Sequence, residues 1–352
     1  MKILVTGGAG FIGSALVRRL IGEGSAHVCV VDSLTYAANP ASLDPVRASP
    51  RFSFIRQDIC DARAMREIVA AFAPAQIVHL AAETHVDRSI TGSRAFIDTN
   101  ILGTHSMLEA ARAWLQGDGQ ALRDSFRFLH VSTDEVFGSL GPEGAFNETT
   151  KYDPSSPYSA SKAAADHLVL AWHRTYDVPT IISNCSNNYG PCQFPEKLIP
   201  LVLLNALEGL PLPVYGDGQQ VRDWLFVDDH ARALMAMLER GRPGETYAVG
   251  GRSERCNLDI VHALCDLLDA RLPLPEGKSR RSLVTFVPDR PGHDRRYAID
   301  PAKIETELGW RAGESLETGL ARTVDWYLSN PGWWRPIRET SYAGERLGQL
   351  PA

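Results

Sequence analysis

The chain has 352 residues, 44% hydrophobic and 22% charged, with a net charge of −6. That length bounds about two domains, or one large α/β unit with an annex, and a core that needs no disulfide or metal. The acidic balance argues against nucleic acid as the main partner, because a phosphate-binding surface shows as a basic excess, and no run of about 18 apolar residues predicts a membrane-spanning helix.

The chain opens on an apolar, β-rich stretch, Lys2–Thr6, with no leader-like charged region, long apolar stretch and cleavage site, so export is not expected. Helical spacing follows over Ser14–Gly22, then an apolar run over His27–Asp32, alternation over Phe52–Gln57 and helical spacing over Ala64–Phe72. Ile77–Ala81 reads as a buried strand, Phe96–Ala113 as a helix and Phe126–Ser132 as another strand. Strands alternating with helices predict a doubly wound parallel sheet. The character changes after about Asn184. Asn187–Gln193 is rich in Asn, Gly and Pro, Leu198–Leu207 is helical, Pro211–Gly218 is a turn-rich edge and Arg222–Asp229 is apolar and aromatic. Tyr247–Gly250 reads as a strand, Asn257–Asp269 as a helix, Pro273–Arg281 as a loop and Leu316–Leu328 as the last periodic helix. The expected organisation is a large sheet domain over residues 1–186 with returning segments at about 220–250 and 295–330, a smaller α/β domain over 187–219 and 251–294, and a tail over 331–352. Six cysteines (Cys29, Cys60, Cys185, Cys192, Cys256, Cys265) contain no Cys-x-x-Cys pair, so free thiols in a reducing cytoplasm are expected and a zinc site is not.

Gly7, Gly10 and Gly13 form a GxxGxxG pattern between the first strand and the first helix. Glycines there permit a tight turn and let a pyrophosphate reach the backbone at a helix N-terminus. The next strand ends at Asp32, where a carboxylate can accept both ribose hydroxyls and would repel a 2′-phosphate, so NAD is favoured over NADP. Asp58 and Ile59 follow a third strand, where an acidic side chain can meet the adenine amino group, a helix cap being the alternative. These features make the sheet domain Rossmann-type, with NAD its expected cofactor.

Tyr158 and Lys162, at i,i+4, share one face of a helix that continues through Ala163–His173. A nearby ammonium favours the phenolate, which can take a proton from an alcohol as hydride leaves the carbon. Upstream, Ser132-Thr133-Asp134-Glu135 ends a strand, where open α/β sheets hold their ligands. Two adjacent carboxyl residues exceed what alcohol oxidation requires. One can remove a proton from carbon while the other, protonated, expels a hydroxide, provided their pKa values are pushed apart. A helix cap followed by a solvated acid is the structural alternative.

At these residues the chain resembles the extended short-chain dehydrogenases/reductases, and within them the dTDP-glucose 4,6-dehydratase family. The likeness runs over nearly the whole chain. Its markers are His79–Ser89, Ser132–Gly138, Ser156–Lys162, Asn184–Pro191, Phe194–Pro200, Arg222-Asp223-Trp224 and Asp289–Asp294. The Thr-Asp-Glu triplet discriminates, since related sugar epimerases are similar at the glycines and at Tyr158/Lys162 but lack the Asp-Glu pair.

The resemblance implies that Tyr158, helped by Lys162, deprotonates a sugar C4 hydroxyl, that Thr133 bonds the C4 oxygen, that Glu135 removes the C5 proton and that Asp134 protonates the departing C6 hydroxyl. It implies an NAD set of Gly7, Gly10, Phe11, Ile12, Gly13, Asp32, Leu34, Thr35, Asp58, Ile59, Leu80, Ala81, Ala82, Thr99, Tyr158, Lys162 and Asn188. It implies a nucleotide-sugar set of Thr84, Asn187, Glu196, Lys197, Leu198, Pro213, Tyr215, Arg222, Asn257 and His293, with the smaller domain as the nucleotide-sugar-binding one. Arg222 and Lys197 suit a diphosphate, with a salt bridge from Arg222 to Asp223 or Asp228 as the alternative. His85 has no assigned role. The family also implies a homodimer through helices around Phe96–Ala113 and Ser159–Tyr176. Phe137 stands where the family usually has Tyr, and Cys192-Gln193 replaces the commoner Tyr-His, which puts substrate tuning in question. No role is assigned to the tail with Trp333-Trp334. The rival readings are a dehydratase or epimerase acting on a UDP-, CDP- or GDP-linked sugar, and a catalytically silent NAD sensor.

Overall fold

A computed structural model describes residues 1–348 of the chain. Twelve strands occur among them: β1 (Lys2–Thr6), β2 (His27–Asp32), β3 (Phe52–Arg56), β4 (Gln76–His79), β5 (Arg127–Thr133), β6 (Thr180–Cys185), β7 (Asn187–Tyr189), β8 (Leu212–Tyr215), β9 (Val221–Phe226), β10 (Thr246–Val249), β11 (Glu254–Cys256) and β12 (Val284–Val287). Seven form one sheet in the order β10-β6-β5-β4-β1-β2-β3, every neighbouring pair parallel. This is a Rossmann-type doubly wound sheet.

Its strands read as nearly continuous apolar runs because helices cover both faces. Ile3 and Val5 of β1 point into one core with Leu16 and Leu20 of the helix Phe11–Gly22 and Leu234 of the helix Val227–Arg240. Leu4, between them, points into the opposite core with Met65, Val69, Met107 and Leu108. The chain leaves β1 for β2 and β3 on one side and returns to β4 on the other. The carboxyl ends of β1 and β4 therefore diverge into a crevice, where such sheets bind ligands.

The long helical pattern at Phe96–Ala113 is realised in three pieces. A turn at Ser93–Phe96 leads into a π-helical stretch, Ile97–Gly103, and then the helix Thr104–Gln116. A Cβ on Gly103 would lie 2.5 Å from Ile59 Cδ1, so this widened turn presses close against the end of β3's following loop. Several elements carry no signal in the sequence, among them the helices Val227–Arg240 and Ala302–Leu308 and the short strands β11 and β12. The turn-rich edge at Pro211–Gly218 contains β8, which pairs in parallel with β12.

The returning segments divide between two bodies. The helix Val227–Arg240 packs on the first core and β10 closes the large sheet, but β9 pairs with β7 and β11 outside that sheet. Leu316, Leu320, Val324 and Tyr327 of the helix Leu316–Ser329 join a second core with Val202, Leu203, Ile260, Leu264 and Leu268. Within 295–330, then, the last helix serves the smaller core, because its apolar stripe faces the helices Leu198–Glu208 and Asn257–Arg271. The tail forms a helix, Pro331–Thr340, that buries Trp333, Trp334 and Ile337 in the same core. The last four residues of the expected tail, 349–352, lie outside the described residues.

Candidate active site

The β1–helix turn is built by close approach. Gly7 has φ +70°, and a Cβ there would lie 2.6 Å from the Ala81 backbone nitrogen. A Cβ on Gly13 would lie 2.2 Å from the Gly7 carbonyl oxygen. Gly10, the N-cap of Phe11–Gly22, would meet only the Gly7 oxygen at 3.2 Å, and no side chain caps that helix. The result is a bare helix N-terminus above a backbone cradle, suited to an anionic diphosphate. Asp32 is buried at the end of β2, its two oxygens accepting from Ala9 N (2.9 Å) and Leu34 N (2.8 Å). Those bonds aim the carboxylate into the cleft and leave lone pairs for two hydroxyls. These residues fit NAD.

The cleft is lined by Gly7, Gly10, Phe11, Ile12, Gly13, Asp32, Thr35, Asp58, Ile59, Leu80, Ala81, Ala82, Thr99 and Asn188, together with Thr133, Asp134, Glu135, Tyr158 and Lys162. Leu34 is the exception in the expected cofactor set. Its φ is +58°, its N–H bonds Asp32, and its side chain packs on the first core instead of lining the cleft.

Thr133 ends β5 and caps the turn Asp134–Phe137, accepting from Glu135 N at 3.2 Å and donating to Asp134 Oδ1 at 3.3 Å. Asp134 Oδ2 is buried and has no partner. The two carboxyls meet different surroundings. Burial, then Glu135 and Asp223, hold Asp134 well above the usual carboxylate range. Glu135 is also pushed up by burial, but Arg290, Arg222 and Lys197 pull it back. Asp134 thus favours its protonated form and Glu135 the more readily ionised one.

Tyr158 and Lys162 come from the first turns of the helix Pro157–Tyr176, which opens on a capping box between Ser156 and Ser159. The expected lowering of the phenol by its lysine is not what this arrangement produces. Lys162 Nζ donates to the Val131 carbonyl (2.8 Å), while burial and the neighbouring Glu135 push the phenol up. The lysine itself is pulled down by burial and supported by Asp166.

A second cavity continues from the first. Thr84, Glu135, Asn187, Glu196 and Lys197 border both, and Leu198, Pro213, Tyr215, Arg222, Asn257 and His293 line the second. Arg222 is buried. It stacks 4.2 Å above the Tyr297 ring and donates to the Asp294 carbonyl (2.9 Å), with no carboxylate in ion-pair range among the described residues, so the salt-bridge alternative is not realised. Lys197 Nζ donates to the Thr84 carbonyl (2.8 Å). His293 Nδ1 meets Asp289 at 2.5 Å, and burial with Arg290 and Arg222 pushes the imidazole down to about 4. The Glu196 carboxylate is taken up by Tyr36 OH (3.0 Å) and Arg88 Nε (2.8 Å), tying two loops and the helix Val86–Thr91 together at the junction of the cavities.

Several lining residues escaped the sequence reading. Arg290 and Asp87 line the second cavity, and both sit inside the quoted motif runs, which are their only signal. Tyr342, Arg346 and Leu347 of the tail also line it, and nothing local marks them. His85 borders the same cavity with Nε2 3.3 Å from the Glu196 carbonyl. Of the departures, Phe137 packs between Phe146 and Tyr152, with ring centroids 5.2 Å away in each case, and lines neither cavity, so it is not the site-adjacent change expected of it. Cys192 is buried in the second core, whereas Gln193 lines the cofactor cleft.

Residues 4–323 match the family model described as GDP-mannose 4,6 dehydratase. The chain is 59% identical over 350 residues to a probable dTDP-glucose 4,6-dehydratase of Sinorhizobium fredii, covering 99% of both chains. It is 57% identical over 351 residues to dTDP-glucose 4,6-dehydratase 1 of Escherichia coli, covering 97% of both. Its structure superposes on the dTDP-glucose 4,6-dehydratase of Streptomyces venezuelae, solved with NAD bound, with a TM-score of 0.87 at 47% identity, covering 96% of this chain and 100% of that one. With a paired Asp-Glu at the end of β5 and likenesses that span both chains, this protein belongs to the dTDP-glucose 4,6-dehydratase family.

Proposed function

We propose that the protein is an NAD-dependent hydro-lyase that converts dTDP-glucose to dTDP-4-keto-6-deoxyglucose, with Thr133, Asp134, Glu135, Tyr158 and Lys162 as its catalytic residues. The observation that carries the reading is the placement of Glu135, which borders both the cofactor cleft and the second cavity beside a carboxyl that burial holds further above the usual carboxylate range. NAD, when bound, accepts hydride from C4 and returns it at C6, so it ends each turnover as it began.

The chain's own residues move the protons. Tyr158 takes the C4 hydroxyl proton at its phenol oxygen, and Thr133 hydrogen-bonds the same sugar oxygen. Burial and the neighbouring Glu135 push the phenol up in the free protein, so Tyr158 must first release its own proton to act as base. Lys162, held by the Val131 carbonyl, supplies positive charge beneath it. The 4-ketone acidifies C5–H, and Glu135 removes that proton. Asp134, kept protonated, delivers its proton to the C6 hydroxyl, which leaves as water. Glu135 then returns a proton to C5, and the proton that Tyr158 gained balances the one Asp134 gave up, so the site ends as it began. Oxidation at C4 must come first, because an unactivated C–H is far too weak an acid for a carboxylate. Arg222 and Lys197 bind the diphosphate.

Two further expectations belong with this reading. A homodimer through the helices around Phe96–Ala113 and Ser159–Tyr176 is supported by the exposure of Ile97, Leu102 and Tyr176 upon them. A cytoplasmic location is supported by six cysteines that are all free. The reaction is tested by incubating the purified protein with dTDP-glucose and no added NAD. Loss of one water by mass, with the alkali-induced absorbance of a 4-keto sugar, is expected. No product even after NAD is supplied, with turnover of UDP-, CDP- or GDP-linked sugar instead, would overturn the assignment.

A further inference from the structure

The tail does more than pack. After its helix, Tyr342 is buried in the second core and its hydroxyl donates to the Glu345 carbonyl (2.8 Å). Gly344 turns the chain at φ +99°, where a Cβ would strike the Arg338 guanidinium. Arg338 is itself anchored by Asn205 (3.0 Å) and Glu208. Gly348 presses on Asp87, where a Cβ would come within 2.8 Å. Between these anchors the segment crosses the mouth of the second cavity as a strap. At its centre Arg346 donates from Nη2 to the Pro288 carbonyl (2.6 Å) and lies 5.2 Å over the Tyr215 ring. Tyr215 is fixed in turn by its bond to Asp87 (2.8 Å). Arg346 Nε is buried and has no partner.

The cavity has a direction. Its inner end is shared with the cofactor cleft through Glu135, Thr84 and Asn187, while Pro213, Tyr215 and the strap border only the outer part. A nucleotide sugar whose glucose ring reaches Glu135 must extend its nucleotide towards the strap. A buried guanidinium N–H without an acceptor costs free energy that a ligand oxygen placed there recovers. We propose that the strap is the outer wall of the nucleotide pocket and that Arg346 is a substrate-binding residue, donating from Nε to an acceptor oxygen on the nucleoside diphosphate half of the substrate. This rests on the nucleotide-sugar reading above.

The test is calorimetric titration of dTDP into the NAD-loaded wild type, Arg346→Ala and Arg346→Lys, with KM and kcat for dTDP-glucose measured alongside. Arg346→Ala is expected to bind dTDP roughly tenfold or more weakly, the scale of one lost charge-assisted bond. The loss should fall on KM more than on kcat, bound NAD should be retained, and Arg346→Lys should recover part of the affinity. dTDP affinity in Arg346→Ala within about twofold of wild type, an error-sized difference on this scale, would overturn the role of Arg346. Failure of the wild type itself to bind dTDP would instead overturn the underlying assignment and the strap's role with it.

Discussion

Replacing Asp166 tests whether the buried network beneath the catalytic strand tunes Lys162 or merely holds the fold. Asp166 lies one turn beyond Lys162 on the same helix and is fully buried. Its Oδ2 accepts from Ser132 Oγ (2.8 Å), Tyr152 OH (2.9 Å) and Asn184 Nδ2 (3.2 Å). Its Oδ1 stands 3.2 Å from His130 Nε2, which is 3.4 Å from Lys162 Nζ. Burial pushes His130 down to about 4, so the imidazole is neutral and Asp166 is the carboxylate supporting the lysine's charge. In Asp166→Asn, one amide oxygen must serve three donors while a new NH2 seeks acceptors. Leaving one buried polar group unmet costs about 1–3 kcal/mol, so a loss of about 2 kcal/mol in urea unfolding is expected. Lys162 also loses its raising influence and sheds its proton at lower pH. If catalysis needs the ammonium, the alkaline limb of the pH–kcat profile moves to lower pH, with activity near the alkaline end down roughly tenfold against the parent. An alkaline limb that superposes on the parent's while stability falls would refute the tuning role and leave Asp166 purely structural.

Glu135→Gln should keep its NAD and slow C5 exchange by roughly 10²–10⁴-fold; undiminished solvent-deuterium incorporation at C5 would remove Glu135 from the base role. Tyr158→Phe should slow the first hydride transfer by a similar factor of about 10²–10⁴, and NADH forming at the parental rate in a single turnover would show that another base acts. Asp134→Asn should lose dehydration yet gain stability. The Asp134 carboxyl is held above its unfolded value, so the stability it contributes is whole below the unfolded pKa and is lost as pH rises. The variant's Tm should exceed the parent's at pH 8 by about 2–4 °C, with the gap closing towards pH 5; equal Tm values at pH 8 would contradict the burial of a strained carboxyl.

Much of this protein was legible in short windows of sequence, because the constraints that set those windows are local. The apolar runs Lys2–Thr6 and His27–Asp32 coincide with β1 and β2 to the residue, since a strand covered on both faces needs little else. Gly7 must be glycine for its own φ and for one near neighbour, and Asp32 is placed by a strand end. The i,i+4 step alone puts Tyr158 and Lys162 on one helix face. The electrostatics followed from the tertiary structure. Whether Asp134 or Glu135 holds a proton depends on Asp223, Arg222, Arg290 and Lys197, which reach the site from three distant segments, and on how much water the fold excludes. The direction of Lys162 towards Val131 is decided by a carbonyl on another strand. β9 lies outside the main sheet because β7 and β11 take its hydrogen bonds, and the tail walls the second cavity because Gly348 packs against the distant Asp87 and Gly344 against Arg338, which is itself anchored on the distant Asn205. Spacing along a chain sets which groups can share a face, whereas desolvation and partner choice arise only when remote segments close around them.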